Sequence, residues 1–250
     1  MPLLRPILTL FIITTVVFGF SVSAEEPTAK STKSQSNTKT LAFAEDSAWA
    51  PSHFGGDGPI EMKDGVLSLG FGDPLTGVRW EGDLPKQDYE ISLEARRVGG
   101  FDFFCGLTLP LADQRFSLVL GGWGGSLVGL SSIDGLDASN NETMLIRNFE
   151  KNRWYKVRVR VTKEKIGVWL DVEQIIDIEC KGRVFDVRSE MLECLPLGIA
   201  AFQCESEVRN VQIVSIKAAS DAVVAPAPAP QAAPGSAPES TSESTPSAKP

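Results

Sequence analysis

Between Tyr89 and Arg96 the chain reads Tyr-Glu-Ile-Ser-Leu-Glu-Ala-Arg, apolar and polar residues in strict alternation. A period of two puts Ile91, Leu93 and Ala95 on one face and Glu90, Ser92, Glu94 and Arg96 on the other, the pattern of a strand with one buried side. Trp154-Tyr-Lys-Val-Arg-Val-Arg-Val161 repeats it, with Lys156, Arg158 and Arg160 together on the polar face. Phe103–Leu109 and Phe116–Leu120 are nearly continuous apolar runs, as expected of strands buried in the middle of a sandwich. Shorter strands are predicted at Val66–Leu69, Thr76–Trp80, Leu127–Leu130, Ile166–Leu170, Glu173–Ile178, Leu197–Phe202 and Val208–Ile216. Gly, Asp, Asn and Pro clusters separate them at short intervals. Only Asp186–Leu192 has the character of a helical turn. No strand–helix alternation occurs, so a parallel sheet is excluded and an all-β, two-sheet antiparallel sandwich is expected.

The ends differ from this middle. Met1–Ala24 has a basic start, an apolar run of about 14 residues and Val22-Ser-Ala24 before Glu25, as in a cleavable signal peptide; the run is shorter than the ~20 residues a spanning helix needs. The protein is therefore expected to be secreted or periplasmic, with no membrane insertion after signal cleavage. Residues 25–40 are almost wholly polar and read as a flexible leader. Residues 218–250, with Ala225-Pro-Ala-Pro-Ala-Pro230, read as a disordered Pro/Ala/Ser-rich tail with polyproline II character. The folded domain is then 41–217, large enough for one core. The chain carries a formal net charge of −8 at pH 7. That charge rests on the domain, and no basic cluster interrupts it, which argues against nucleic acid or an anionic membrane as partner.

Few chemical constellations survive inspection. The only histidine, His53, lies in a Gly-rich loop, and neither a Gly-x-Ser-x-Gly elbow nor a nucleotide-binding glycine motif is present. Of the four cysteines, Cys105 belongs to an apolar strand and reads as buried; among Cys180, Cys194 and Cys204, a Cys194–Cys204 disulfide is the favoured pairing in an exported protein. No CxxC is present, and no cofactor is expected.

The segment Gly121-Gly-Trp-Gly-Gly125 stands out. Glycines on both sides of Trp123 leave an indole face uncovered, a platform on which a sugar ring stacks, while nearby Asp and Asn side chains bond its hydroxyls. A pair of β-bulges around a structural Trp fits the same residues. The oxygen-rich stretch Asp134–Glu142 admits two readings, a Ca2+ site without EF-hand spacing or ordinary turn chemistry. Asn141-Glu-Thr143 is a formal glycosylation sequon.

Asn152-Arg-Trp-Tyr-Lys-Val-Arg-Val-Arg-Val161, Val168-Trp-Leu-Asp-Val-Glu173, Leu197-Gly-Ile-Ala-Ala-Phe-Gln203 and Val208-Arg-Asn-Val-Gln-Ile213, together with Asp64-Gly-Val-Leu67 and the Tyr89 strand, resemble the concanavalin A-like (laminin-G-like) jelly rolls. In particular they resemble the bacterial 3-keto-disaccharide hydrolase domain, over most of residues 43–216. The resemblance implies a two-sheet jelly roll acting on a carbohydrate or small sugar derivative. Glu94 matches the family's Glu-bearing strand, and Arg209-Asn210 its closing Arg-Asn. Asp102-Phe-Phe-Cys-Gly-Leu-Thr-Leu-Pro110 stands where members usually carry an Asn-Ser-Gly-Ile segment. The site expected on this basis has Glu94 and Asp134 as its carboxylate pair, with Trp80, Arg96, Trp123, Asp137, Asn141 and Glu142 contacting substrate. A glycosidase pair stands roughly 5–9.5 Å apart. Two further readings stay open at this point, a non-catalytic carbohydrate-binding module and a structural envelope domain.

Overall fold

The computed structural model describes residues 38–216. The expected signal peptide, most of the leader and the tail lie outside them. In chain order the strands are β1 (Thr38–Thr40), β2 (Trp49–Pro51), β3 (Ile60–Lys63), β4 (Val66–Leu69), β5 (Leu75–Trp80), β6 (Tyr89–Gly100), β7 (Cys105–Leu111) and β8 (Gln114–Gly121). They continue with β9 (Leu127–Ser131), β10 (Leu145–Ile146), β11 (Tyr155–Val161), β12 (Lys165–Leu170), β13 (Glu173–Glu179), β14 (Gly198–Phe202) and β15 (Cys204–Ser215). One 3-10 helix, Ser189–Cys194, falls where the helical turn was expected.

Two antiparallel sheets result. The first runs β13-β12-β11-β6-β15-β4-β3, with β1 added along β15; the second runs β10-β9-β8-β7-β14-β5-β2. The fold is an all-β jelly-roll sandwich. Alternation sets its core: Tyr89, Ile91, Leu93 and Ala95 of β6 and Tyr155, Val157, Val159 and Val161 of β11 are all at most 3% exposed. They meet Cys105, Leu107 and Leu109 of β7 and Phe116, Leu118 and Leu120 of β8 from the second sheet.

The outer face of the second sheet is also partly covered, which explains the unbroken apolar runs there. A smaller cluster of Leu75, Val187, Met191, Cys194 and Ala200, with Phe54, Phe103 and Phe202 against it, lies on that side. The 3-10 helix sits so close that a Cβ on Gly198 would stand 2.5 Å from the carbonyl oxygen of Cys194. Only glycine fits at that point of β14.

Two expectations need correction. Thr38–Thr40, assigned to the leader, form an edge strand in register with Gln212–Val214. Edge pairing uses backbone groups alone, so a polar stretch satisfies it. The Cys194–Cys204 disulfide is absent: all four cysteines are free. Cys194 belongs to the small outer cluster and Cys204 to the main core, so the second sheet separates them. Cys204 Sγ donates to Gly99 O at 2.9 Å, and Cys194 Sγ lies 3.7 Å from Ser52 Oγ. Burial pushes the Cys105 and Cys194 thiols up to about 12 and the Cys180 thiol up to about 11, which leaves them unreactive. Adding a reductant is therefore expected to leave the thermal unfolding midpoint unchanged, as read by circular dichroism.

Candidate functional site: a pocket on the outer face of the second sheet

The uncovered remainder of the second sheet's outer face is a pocket of about 240 Å³. Its floor is Gly106 of β7, Ser117 and Val119 of β8 and Ser131 of β9, residues whose neighbours in each strand point into the core. Phe103, Phe202 and Met191 form its walls, and Asp102, Trp123, Arg188 and Glu190 close around it.

Trp123 reaches the pocket because its backbone is left-handed, at φ 48, in a turn where Gly121, Gly124 and Gly125 also have positive φ. A Trp in that conformation is strained, and the turn must be held from outside. Arg97, from β6 of the first sheet, does this. Its Nη2 donates to the carbonyls of Asp102, Gly121 and Gly125 at 3.0, 3.3 and 2.9 Å. Asp102 adds a second clasp: Oδ2 accepts from Gly124 N at 3.0 Å and Oδ1 from Phe103 N at 2.8 Å. The indole is left 45% exposed.

The opposite rim is a carboxylate–guanidinium chain. Arg188 Nη1 donates to Asp137 Oδ2 at 2.6 Å, and its Nε donates to Glu190. Ser131 Oγ donates to Asp137 Oδ1 at 3.4 Å, which ties Asp137 to the floor. Burial pushes the Glu190 carboxyl up, but its own backbone N–H and the Arg188 guanidinium outweigh that and hold it below its ordinary value. Glu190 is thus ionised, and its second oxygen, Oε2, accepts from Ser189 Oγ at 3.1 Å.

The other expected site residues are placed elsewhere. Glu94 is on the outer face of the first sheet, where Arg209 Nε donates to its Oε2 at 2.8 Å. Arg96 is beside it, donating to Glu207 at 2.7 Å. Both guanidinium groups stack on Trp154, at 4.6 Å for Arg96 and 4.1 Å for Arg209. Glu90, on the same face, accepts from Arg158 and Arg160. Trp80 is 7% exposed in the core, edge-on to Trp49 at 5.3 Å, because β5 turns Val78 and Trp80 inward. Asp134 belongs to the loop after β9, on the second sheet. Glu94 and Asp134 thus lie on different sheets, each bound by its own arginine, and are not brought together.

Asp134 and Glu142 are joined by a guanidinium. Arg183 Nε donates to Asp134 Oδ2 at 2.6 Å, and its Nη1 donates to Glu142. Val184 N–H first, then Arg183, hold the Asp134 carboxyl below its ordinary value; Arg183 first, then its own backbone N–H, do the same for Glu142. Arg183 thus supplies the positive charge at the place where a bound Ca2+ was one of the two readings, and no group of three or more metal-ligating side chains converges among the described residues. Stabilisation from a lowered carboxyl is complete above the ordinary values, 3.8 and 4.5, and is lost as pH falls through the lowered ones. The gap in melting temperature between wild type and Arg183→Ala should therefore be constant from neutral pH down to 4.5 and narrow below it.

Asn141 is 8% exposed and faces its own loop. Its Nδ2 donates to the carbonyls of Leu130, Leu136 and Asp137, and its Oδ1 accepts from Thr143 N and Oγ1. The sequon asparagine is therefore closed to modification in the folded domain. Of the residues expected at a site, Trp123 lines the pocket and Asp137 supports its rim. Arg97, Asp102, Arg188 and Glu190 carry the same site without any sequence motif to announce them.

No family model and no curated protein matches the chain. Among solved structures, it is similar to a carbohydrate-binding module, CBM66, from Bacillus subtilis, at 12% identity and TM-score 0.47, over 67% of this chain and 96% of that one. An endo-acting O-glycanase of the human gut microbiota is similar at 16% identity and TM-score 0.45, over 72% and 92%. The Crh5 transglycosylase in complex with NAG is similar at 8% identity and TM-score 0.49, over 72% and 84%. Similarity this distant says nothing of ligand or activity.

Proposed function

We propose that this chain is an exported, non-catalytic carbohydrate-recognition domain that binds a saccharide in the pocket beneath Trp123. The observation that carries the proposal is the clasped indole. A strained, half-exposed Trp is held by Arg97 and Asp102 at the mouth of an apolar-walled cavity, with carboxylates on the rim. A sugar presents an apolar ring face to an indole and a hydroxylated edge to carboxylates, so it matches both parts of the site.

Hydrolysis, which the 3-keto-disaccharide resemblance implies, has less support. A glycosidase needs a protonated carboxyl with a raised pKa opposite a second carboxylate. Glu190 is shifted the other way, and both oxygens of Asp102 accept backbone N–H groups. Glu94 and Asp134 are committed to Arg209 and Arg183.

A glycan array probed with the full chain, followed by product analysis of every bound glycan, tests the reading. Retention of a defined set of glycans without new reducing ends or unsaturated products is expected. A blank array, or cleavage of the retained glycans, would overturn it.

A further inference from the structure

The pocket is graded in polarity from mouth to floor. Trp123 and Arg188 are exposed and Asp102 and Glu190 half-buried, so all of its charge is near the mouth. Deeper, Val119 and Met191 are only 6% and 5% exposed, and Phe103 and Phe202 pack with ring centroids 5.6 Å apart. The two buried hydroxyls are already engaged: Ser117 Oγ shares a hydrogen bond with Thr108 Oγ1 at 2.8 Å, and Ser131 Oγ turns toward Asp137. A hydroxyl pressed against Val119, Met191 or Phe103 would lose its water and find no partner on those side chains, at a real cost. A methyl group there would gain. The volume, about 240 Å³, falls below the roughly 300–1,000 Å³ of pockets that enclose drug-sized ligands, and fits one ring better than a chain.

We infer that the ligand is a single terminal sugar bearing a methyl group, as an N-acetylhexosamine or a 6-deoxyhexose does. The inference rests on the saccharide-binding reading and sharpens it. The methyl seats against Val119, Met191 and Phe103, the ring lies on Trp123, and the hydroxyls turn toward Asp102 and Glu190. Gly106 sets the depth of this wall. A Cβ there would stand 2.9 Å from Phe103 Cε2 and 3.4 Å from Met191 Cε, so glycine lets both side chains settle on the sheet. A side chain at this position would lift the Phe103 ring into the space the methyl needs.

Titration of the full chain followed by amide NMR tests this, with N-acetylglucosamine, 6-deoxyglucose and glucose, and with their galactose counterparts. The acetamido or the deoxy sugar should bind about tenfold more tightly than its parent hexose, the discrimination one buried methyl-sized group provides. Which of the two shows the gain identifies the source of the methyl. Gly106→Ala should reduce that ratio toward one, and so should Val119→Thr, a near-isosteric change that places a hydroxyl in the wall without displacing Phe103. Equal affinity for methyl-bearing and parent sugars in the wild type, or a ratio unchanged in both variants, would overturn the inference while leaving saccharide binding intact. Binding of none of these sugars, with a blank glycan array, would overturn both.

Discussion

Trp123→Ala is expected to weaken saccharide binding by about 2 kcal/mol, roughly thirtyfold in Kd, while the domain stays as stable as the wild type. The two halves of this result have separate causes. The indole is 45% exposed and belongs to neither hydrophobic cluster, so its removal opens no cavity in the core. Alanine at φ 48 carries the same kind of backbone strain as tryptophan, so the turn gains and loses little. The ring's contact with the ligand, by contrast, disappears completely. Isothermal titration on glycans found by the array, beside a denaturation curve, measures both quantities. Loss of binding together with a large fall in stability would show the Trp to be a structural residue of a bulged strand instead. Asp102→Ala removes one of the two clasps and one acceptor for the ligand's hydroxyls but leaves the Arg97 bonds and the ring, and should weaken binding less than Trp123→Ala.

That contrast reflects what the sequence could and could not convey. Strict alternation gave β11 to within one residue and the first eight residues of β6, because it records burial on one side only; β6 runs on to Gly100, where the alternation of burial has ended. β1, β2, β3 and β10 escaped notice, since two to four residues at a sheet edge are too few to display a period. The glycines around Trp123 announced an exposed indole. Nothing announced Arg97, whose contacts with Gly121 and Gly125 span 24 and 28 positions of the chain. Glu94 illustrates a different limit. Alternation correctly put it on an outer face, but a sandwich has two of these, and the pocket is on the other sheet. Local pattern distinguishes inside from outside; which outside matters is decided by where the 3-10 helix and the Trp123 turn pack.

The loop that frames the far rim should fail through Asn141. Asn141→Asp is nearly isosteric, and it is expected to destabilise the domain by about 3–5 kcal/mol. The amide Nδ2 donates to Leu130 O, Leu136 O and Asp137 O at 2.8, 3.1 and 2.9 Å. A carboxylate has no N–H to give, so it would set a negative charge against three carbonyl oxygens in a buried position. The Oδ1 side would survive, since Thr143 N and Oγ1 still donate there. Net folding free energies of single domains are only about 5–15 kcal/mol, so a loss of this size shows directly as a lower denaturation midpoint. Urea unfolding followed by tryptophan fluorescence measures it. The same residue as a ligand contact would give the opposite pattern, with stability kept and affinity lost. If Asn141→Asp unfolds at the wild-type midpoint, the amide is not the staple of the Leu130–Thr143 loop. If the midpoint falls as expected, Asp137 loses its anchor as well, because Nδ2 holds that residue's backbone while its side chain holds Arg188. The damage should then reach the pocket, weakening saccharide binding in proportion to the fraction of loop released even where the domain remains folded.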